Sequence, residues 1–321
     1  MQPKVTIGIP TYNREKYLKE ALESVLTQDY PNIEIIVSDN HSTDGTEEYI
    51  KTVLEENADK NIHYNRMSQN LGHGPNWNYC WNHATGEYCL ILSDDDALLP
   101  GAVSSMVNAF DEDVVSVVGQ CIQVDPEGVE HGRFINKTGV FTDKEFWKMR
   151  LCEGAHDTPS ALMYRLKNAK EAMAKGTFNV GSAGDLAMNL LMIRGHKIAL
   201  IENFTTLYRV HPGNDSDNVL RCSQGHANLY NFFENQGYEK DDLQVLRTYC
   251  IQTIWAYTWM GLIRQHSFIK AKECLKLLSN NFNESRIIVW IKFFTRLIKM
   301  AIKKVLKTIF SFLKKNRTRE K

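Results

Sequence analysis

Residues 88–101 read YCLILSDDDALLPG. The five apolar residues Tyr88–Leu92 suit a parallel strand buried on both faces. Three aspartates, Asp94–Asp96, follow at once, and Pro100-Gly101 then opens a helix. Carboxylates that close disfavour one another's charge. Either a cation offsets them or the loop is simply solvated, and the flanking sequence has to decide.

Working outward, the same unit recurs on both sides. Val5–Ile9, Ile33–Val37, Ile62–Tyr64 and Val114–Val118 read as strands. Glu15–Thr27, Asp44–Glu55, Asn76–His83 and Pro100–Phe110 read as helices between them, the first from apolar positions at Tyr17, Leu18, Ala21, Leu22, Val25 and Leu26. This alternation predicts an α/β fold with a mostly parallel central sheet and right-handed crossovers. Ligands in such sheets bind beyond the carboxyl ends of the strands. Three polar clusters stand there: Thr11–Arg14, Ser38–Asn40 and Ser93–Asp96. Beyond residue 120 the spacing predicts a hairpin over Gln120–Arg133 turning at Pro126–Gly128. It predicts strands at Pro159–Arg165, Lys197–Ile201 and Thr205–Val210, and a helix at Ala183–Arg194. Helices fill the chain from about Cys222.

The bulk numbers describe a soluble globular chain of 321 residues with 43% hydrophobic and 24% charged residues, and no internal repeat. The start of the chain reads as a strand, so no signal peptide is expected. Seven scattered cysteines with no CxxC point to reduced thiols in a cytoplasmic protein, against a zinc knuckle or disulfide framework. The zero net charge hides an asymmetry. Residues 286–321 carry twelve Lys/Arg and one Glu, which leaves 26 bases and 37 acids in the remainder.

At the binding edge, carboxylates make a hard-oxygen site of the kind that holds Mg²⁺ or Mn²⁺ together with phosphate oxygens. The alternative is acidic residues favoured by a helix N-terminus. A carboxylate at Asp39 can accept from the imide N–H of a pyrimidine base. Asp44 is better explained as a helix-opening residue. His156-Asp157 is read as loop.

Taken in order, IPTYNR (9–14), VSDNHSTDGT (37–46), NLG (70–72) with Asn78, GEYCLILSDDDALLPGA (86–102) and GDLAMNLLMIRG (184–195) resemble the family 2 glycosyltransferases of the GT-A fold. The resemblance runs over about residues 3–215. It implies transfer of a sugar from a nucleotide-sugar donor to an acceptor hydroxyl with inversion at the anomeric carbon. It places Pro10, Thr11, Tyr12 and Arg14 at the nucleotide, with Asn70 and Gly72 nearby. Asp39 reads the base and Asp94 approaches the ribose. Asp95 ligates the cation, with Asp96 a close second because the run of three leaves the register open. Asp185 is the catalytic base, although residue 184 is Gly where the family commonly has Glu; its other reading is a helix N-cap. Tyr208-Arg-Val-His211 resembles a segment that would put Arg209 on the phosphates and His211 on the cation or diphosphate.

From Lys292, the bases Lys292, Arg296, Lys299, Lys303, Lys307 and Lys314 fall within an arc of about 80° on a helix. Phe293, Phe294, Leu297, Ile298, Ala301, Val305, Ile309 and Phe312 lie opposite. That is the pattern of a helix lying in an anionic membrane interface; packing on the catalytic domain or a partner subunit is the alternative. The broad apolar face argues against a nucleic-acid arm.

The expected organisation is a catalytic domain (1–215), a helical extension (216–285) and a basic amphipathic helix (286–321). The enzyme would be peripheral to the inner membrane face, acting on a glycan or lipid-linked acceptor in surface-polysaccharide assembly. Its donor would be a nucleotide-sugar, UDP-sugars favoured, with no nucleic-acid partner. Two rivals remain. A nucleotidyltransferase would want a glycine-rich loop after the first strand, which Pro10–Arg14 lacks. A non-catalytic nucleotide-sugar or glycan-binding scaffold would not need the acidic triplet and Asp185.

Overall fold

The computed structural model describes residues 2–214, 218–282 and 285, position 178 through its backbone alone. The basic segment expected to lie on a membrane, 286–321, falls outside the described residues.

The N-terminal half follows the expected alternation: β1 (Val5–Thr11), α1 (Glu15–Leu26), β2 (Ile33–Asp39), α2 (Thr46–Glu56), β3 (Asn61–Arg66), α3 (His73–His83) and β4 (Tyr88–Ile91). Strand β1 pairs in parallel with both β2 and β4, and β2 with β3. Every residue of β1 and β4 is buried, as strands covered on both faces require, the polar Thr6 of β1 donating its hydroxyl to Glu34. Helix α1 buries Leu18, Ala21, Leu22 and Val25, a single stripe at helical spacing. Helix α3 lies so close to β1 that a Cβ at Gly8 would stand 2.6 Å from Cys80 Cβ. Only glycine admits that approach.

Next come β5 (Ala97–Leu98), α4 (Ala102–Val107), β6 (Val114–Val124), β7 (Glu130–Phe134), β8 (Gly139–Thr142), α5 (Asp143–Lys148), β9 (Leu162–Arg165), α6 (Leu166–Ala174), α7 (Gly184–Met192) and β10 (Lys197–Arg209). The sheet order is β3-β2-β1-β4-β9-β6-β10-β5, with β7 on β6 and β8 on β10. Strand β9 runs antiparallel between β4 and β6, and β10 runs parallel to β6. The long strands β1, β2, β3, β4, β6 and β10 therefore share one direction, and their carboxyl ends form one edge.

Two features differ from the sequence reading. Strand β6 does not neighbour β4, because β9 is returned from later in the chain to sit between them. The stretches Lys197–Ile201 and Thr205–Val210 form one strand, β10, irregular against β6 around residues 200–206. The hairpin at 120–133 forms as expected, with Gly128 left-handed at its turn.

Helices α8 (Val219–Glu234), α9 (Lys240–Ile263) and α10 (Phe268–Asn281) complete the described chain. One core lies under α1, α2 and α4. The other, under α3 and α5–α7, continues without a break into α8–α10 through Phe233, Leu246, Cys250, Ile254 and Leu278. Helices α8–α10 thus share one core with the α/β part of the chain. All seven cysteines lie within the described residues and are free, six of them buried. Among the described residues no helix is long and apolar enough to cross a membrane.

Candidate active site

The three polar clusters meet at the carboxyl edge, as the topology requires. Thr11 and Asp39 are register partners at the ends of β1 and β2. Thr11 Oγ1 donates to Asp94 Oδ2 at 2.8 Å. Arg14 Nη1 donates to Asp94 Oδ1 at 2.9 Å and to Asp95 Oδ2 at 2.5 Å. Burial pulls the Arg14 pKa down, but the charges of Asp94 and Asp95 outweigh it and leave it raised. The opening question is answered in part: a guanidinium, 30% exposed, already faces two of the three carboxylates. The helix-terminus explanation of the triplet fails, because β5 intervenes and α4 begins only at Ala102.

His211, just past β10, arrives from the far side. Its Nε2 lies 3.0 Å from Asp95 Oδ2, and its ring stacks on Tyr17 with centroids 5.3 Å apart. The Gly213 N–H donates to His211 Nδ1 at 3.0 Å. In the neutral ring the proton then sits on Nε2 and points at Asp95. Arg14, Asp95 and His211 thus converge on a single oxygen, Asp95 Oδ2. Among the described residues no three His, Cys, Asp or Glu side chains group as a cation cage. One carboxylate completed by phosphate oxygens and water is the usual arrangement for a hard divalent ion beside a nucleotide, so Asp95 fits Mn²⁺ or Mg²⁺ on those terms. His211 fits as a ligand only after its proton leaves Nε2.

Two assignments require correction. Asp96, expected as an alternative ligand, is 2% exposed; its oxygens accept from the Arg209 N–H at 2.9 Å and from Ser160 Oγ at 2.5 Å. Burial first, then the charge of Asp95, pushes its pKa up to about 8. It is committed to holding β10 and the turn before β9. Arg209, expected on phosphates, is buried and fully engaged. Its Nε donates to Asp95 O (3.0 Å), its Nη1 to Asp125 O and Pro126 O (3.1 and 3.2 Å), and its Nη2 pairs with Glu20 at 2.6 Å. It braces the acidic loop from behind.

Asp39 is also wholly buried, with Oδ1 accepting from Ser42 N–H and Oδ2 from the Tyr64 hydroxyl, each at 2.8 Å. In this conformation it orders the loop after β2 and presents no carboxylate surface to a base. Asn70 accepts from Asn40 Nδ2 (3.0 Å) and from the Gly72 N–H (2.8 Å), shaping a turn in which Gly72 is left-handed. Asn13 and His41 are also left-handed, an uncommon conformation for residues with side chains. Asn13 Oδ1 accepts from Thr43 N–H at 2.7 Å and ties the first two clusters together. Pro10 is buried within β1, and Tyr12 is exposed at the rim. Asp44 stands one residue before Gly45, the N-cap of α2, and accepts from Thr46 N–H and Oγ1 and also from Glu15 N–H of α1, tying the starts of the two helices together.

Asp185 lies in the first turn of α7, whose N-cap is Ala183, so the N-cap reading of Asp185 misses by two positions. Its Oδ1 accepts from the next N–H, Leu186, at 2.8 Å. Burial, and then the charge of Asp157, push its pKa up to about 6. Asp157, read from sequence as loop, is 7% exposed. It pairs with Arg150 Nε and accepts from Asn189 Nδ2 at 3.0 Å. Arg150 stands on a π-helical turn, Met149–Glu153, a local widening that often marks functional sites. Nothing local in the sequence flagged Arg150, Ser160 or Tyr17; Ser160 and Tyr17 gain their roles through partners distant in sequence, and Arg150 through Asp157, seven residues on, and the Tyr249 hydroxyl.

Residues 6–172, just over half of the chain, match the family model for glycosyl transferase family 2. The chain belongs to glycosyl transferase family 2. This family 2 glycosyltransferase is 29% identical over 241 residues to the GalNAc(5)-diNAcBac-PP-undecaprenol beta-1,3-glucosyltransferase of Campylobacter jejuni, covering 73% of this chain and 75% of the relative. It is 43% identical over 109 residues to the abequosyltransferase RfbV of Salmonella typhimurium, about a third of each chain. Among solved structures it resembles S. aureus TarS 1-349 in complex with UDP, with a TM-score of 0.66 and 20% identity over 86% of this chain and 79% of that one. The mannosyltransferase PcManGT of Pyrobaculum calidifontis, in complex with GDP-Man and Mn2+, has a TM-score of 0.58 at 18% identity, over 95% and 88% of the two chains. These likenesses support the GT-A architecture.

Proposed function

We propose that this glycosyltransferase is an inverting, divalent-cation-dependent enzyme that moves one sugar from a nucleotide-sugar to a hydroxyl of a lipid-linked oligosaccharide. The observation that carries the reading is the pairing of two unlike carboxylate environments. Asp94 and Asp95 sit among cationic and donor groups, while Asp185 sits in a desolvated corner that raises its pKa to about 6. A base poised near neutrality and an anion-binding corner are what this reaction divides between acceptor and donor.

Asp185 takes the proton of the acceptor hydroxyl as its oxygen attacks the anomeric carbon. The bond from that carbon to the diphosphate oxygen breaks on the opposite face, and the nucleoside diphosphate leaves. Arg14, the one cation of this corner with solvent exposure, turns from the carboxylates to the diphosphate. Asp95 holds Mn²⁺ or Mg²⁺, with His211 beside it, and Asp94 approaches the ribose. The bound ion supplies electrostatic stabilisation of the leaving diphosphate. Tyr12 and the Asn70–Gly72 turn border the nucleotide.

The lipid-linked acceptor draws support from the Campylobacter relative, whose name specifies an undecaprenol diphosphate-linked glycan. A UDP-sugar is the first candidate donor, by analogy with TarS. The basic segment 286–321 is assigned to the membrane surface on its sequence pattern. Calorimetric titration of UDP with and without Mn²⁺, then of GDP, tests the donor side. Cation-dependent binding that disappears in Asp95→Ala is expected. Absence of nucleotide binding under every cation condition sinks the reading and favours the scaffold alternative.

A further inference from the structure

The turn joining α9 to α10 is built to be rigid and is apolar on its outside. The Ser267 N–H donates to Gly261 O at 2.9 Å, Ser267 Oγ caps α10 by accepting from Lys270 N–H at 3.2 Å, and His266 adopts a left-handed conformation. That fixed turn leaves Ile263, Phe268 and Ile269 at 48%, 50% and 75% exposure. Ile263 and Ile269, with the half-exposed Phe268 beside them, make an apolar tip of the kind that marks a contact surface. The charges next to them along the chain are basic up to Glu273, which pairs with Lys276. Residues 257–272 read YTWMGLIRQHSFIKAK, with Arg264, Lys270 and Lys272 and no acid. All three bases are exposed.

The tip also sits beside the acceptor side of the site. Its base packs on the start of α8, where Cys274 Sγ lies 3.8 Å from Val219 O and 3.2 Å from Ser223 Oγ. Two turns further, α8 rests on the segment leading into Asp185: a Cβ at Gly225 would stand 3.0 Å from Ala183 N, and Ser182 Oγ donates to Arg221 O at 3.0 Å. From Asp185, the tip is thus reached through one helical layer.

We propose that the α9–α10 turn is a membrane-contact tip, in which Ile263, Phe268 and Ile269 enter the interface of an anionic bilayer while Arg264, Lys270 and Lys272 face its headgroups. Apolar side chains ringed by bases are the chemistry of such an interface. The consequence for function rests on the lipid-linked acceptor proposed above: the tip seats Asp185 toward the surface that carries the acceptor. It is separate in sequence from the basic segment 286–321.

The test must tell the tip from that segment, so it reads position 269 in the full-length chain. Cys152, the exposed native thiol, is first changed by Cys152→Ser, and Ile269→Cys is labelled with an environment-sensitive fluorophore. On vesicles of phosphatidylcholine with phosphatidylglycerol, the emission should shift blue and be quenched by lipid-borne quenchers; on phosphatidylcholine alone it should not. Protein that floats with the vesicles while the label stays aqueous overturns the proposal, as does absence of vesicle binding. In a second arm, Phe268→Glu with Ile269→Glu should lower transfer to lipid-linked acceptor in anionic vesicles by about tenfold or more, with transfer to a short soluble acceptor unchanged. Equal loss on both acceptors, or loss on neither, overturns it. Label insertion in a protein that never uses a lipid-linked acceptor would instead refute the acceptor reading and leave the tip standing.

Discussion

Replacing Asp185 by Asn should inactivate the enzyme and at the same time stabilise it. The carboxyl is held away from water and near Asp157, so its pKa stands at about 6 rather than 3.8. At neutral pH the folded protein therefore carries an ionised group that its own surroundings disfavour. At about 1.4 kcal/mol per pH unit, that displacement corresponds to a penalty of up to about 3 kcal/mol. The sign follows from linkage: between the unfolded and folded pKa values the native state binds more protons, so stability falls as pH rises through that window. Asn keeps the acceptor for the Leu186 N–H and removes the charge. Urea unfolding of both proteins at pH 4 and pH 8 measures the difference. The variant should gain up to about 3 kcal/mol at pH 8, with the gain largely gone at pH 4. Donor binding should survive while turnover is lost. A variant no more stable than the parent at pH 8 would refute the desolvation argument, and unchanged turnover would refute the base assignment.

Other outcomes follow from the same geometry. The acid limb of kcat/KM against pH should report one group near pH 6, activity falling below it as Asp185 gains its proton; a limb set by an ordinary carboxylate near 4 would count against this. Asp157→Asn removes the charge that helps raise the Asp185 pKa, so that limb should move to lower pH. An unmoved limb would show that the two carboxylates do not interact. Arg209→Ala should cost roughly 3–5 kcal/mol in urea unfolding, as expected when one partner of a buried ionic and hydrogen-bonded group is removed. If it instead leaves stability intact and weakens only nucleotide binding, Arg209 contacts phosphate after all.

The comparison of Asp94, Asp95 and Asp96 shows how far sequence reading reaches. Three adjacent aspartates at a strand end are equivalent on paper. In the fold, successive side chains point different ways, and each meets a different set of partners. Asp94 faces Thr11 and Arg14, and Asp95 faces Arg14 and His211. Asp96 is taken inward by Ser160 and the Arg209 backbone. Those partners lie between 64 and 116 residues away along the chain. No local pattern carries such information.

By itself the sequence determined the alternating α/β layout, the edge of the sheet that holds the site, and the residues with chemistry to offer there. Hydrophobic periodicity and parallel-strand topology are properties of neighbouring residues, so they survive reading in one dimension. The tertiary structure alone decided that β9 enters antiparallel between β4 and β6, that Arg209 is enclosed by the acidic loop and Glu20, and that the charges of Asp157 and Arg150 act on Asp185. Each of these depends on which distant segments exclude water from one another, and burial of that kind is what raises the Asp185 pKa toward neutrality.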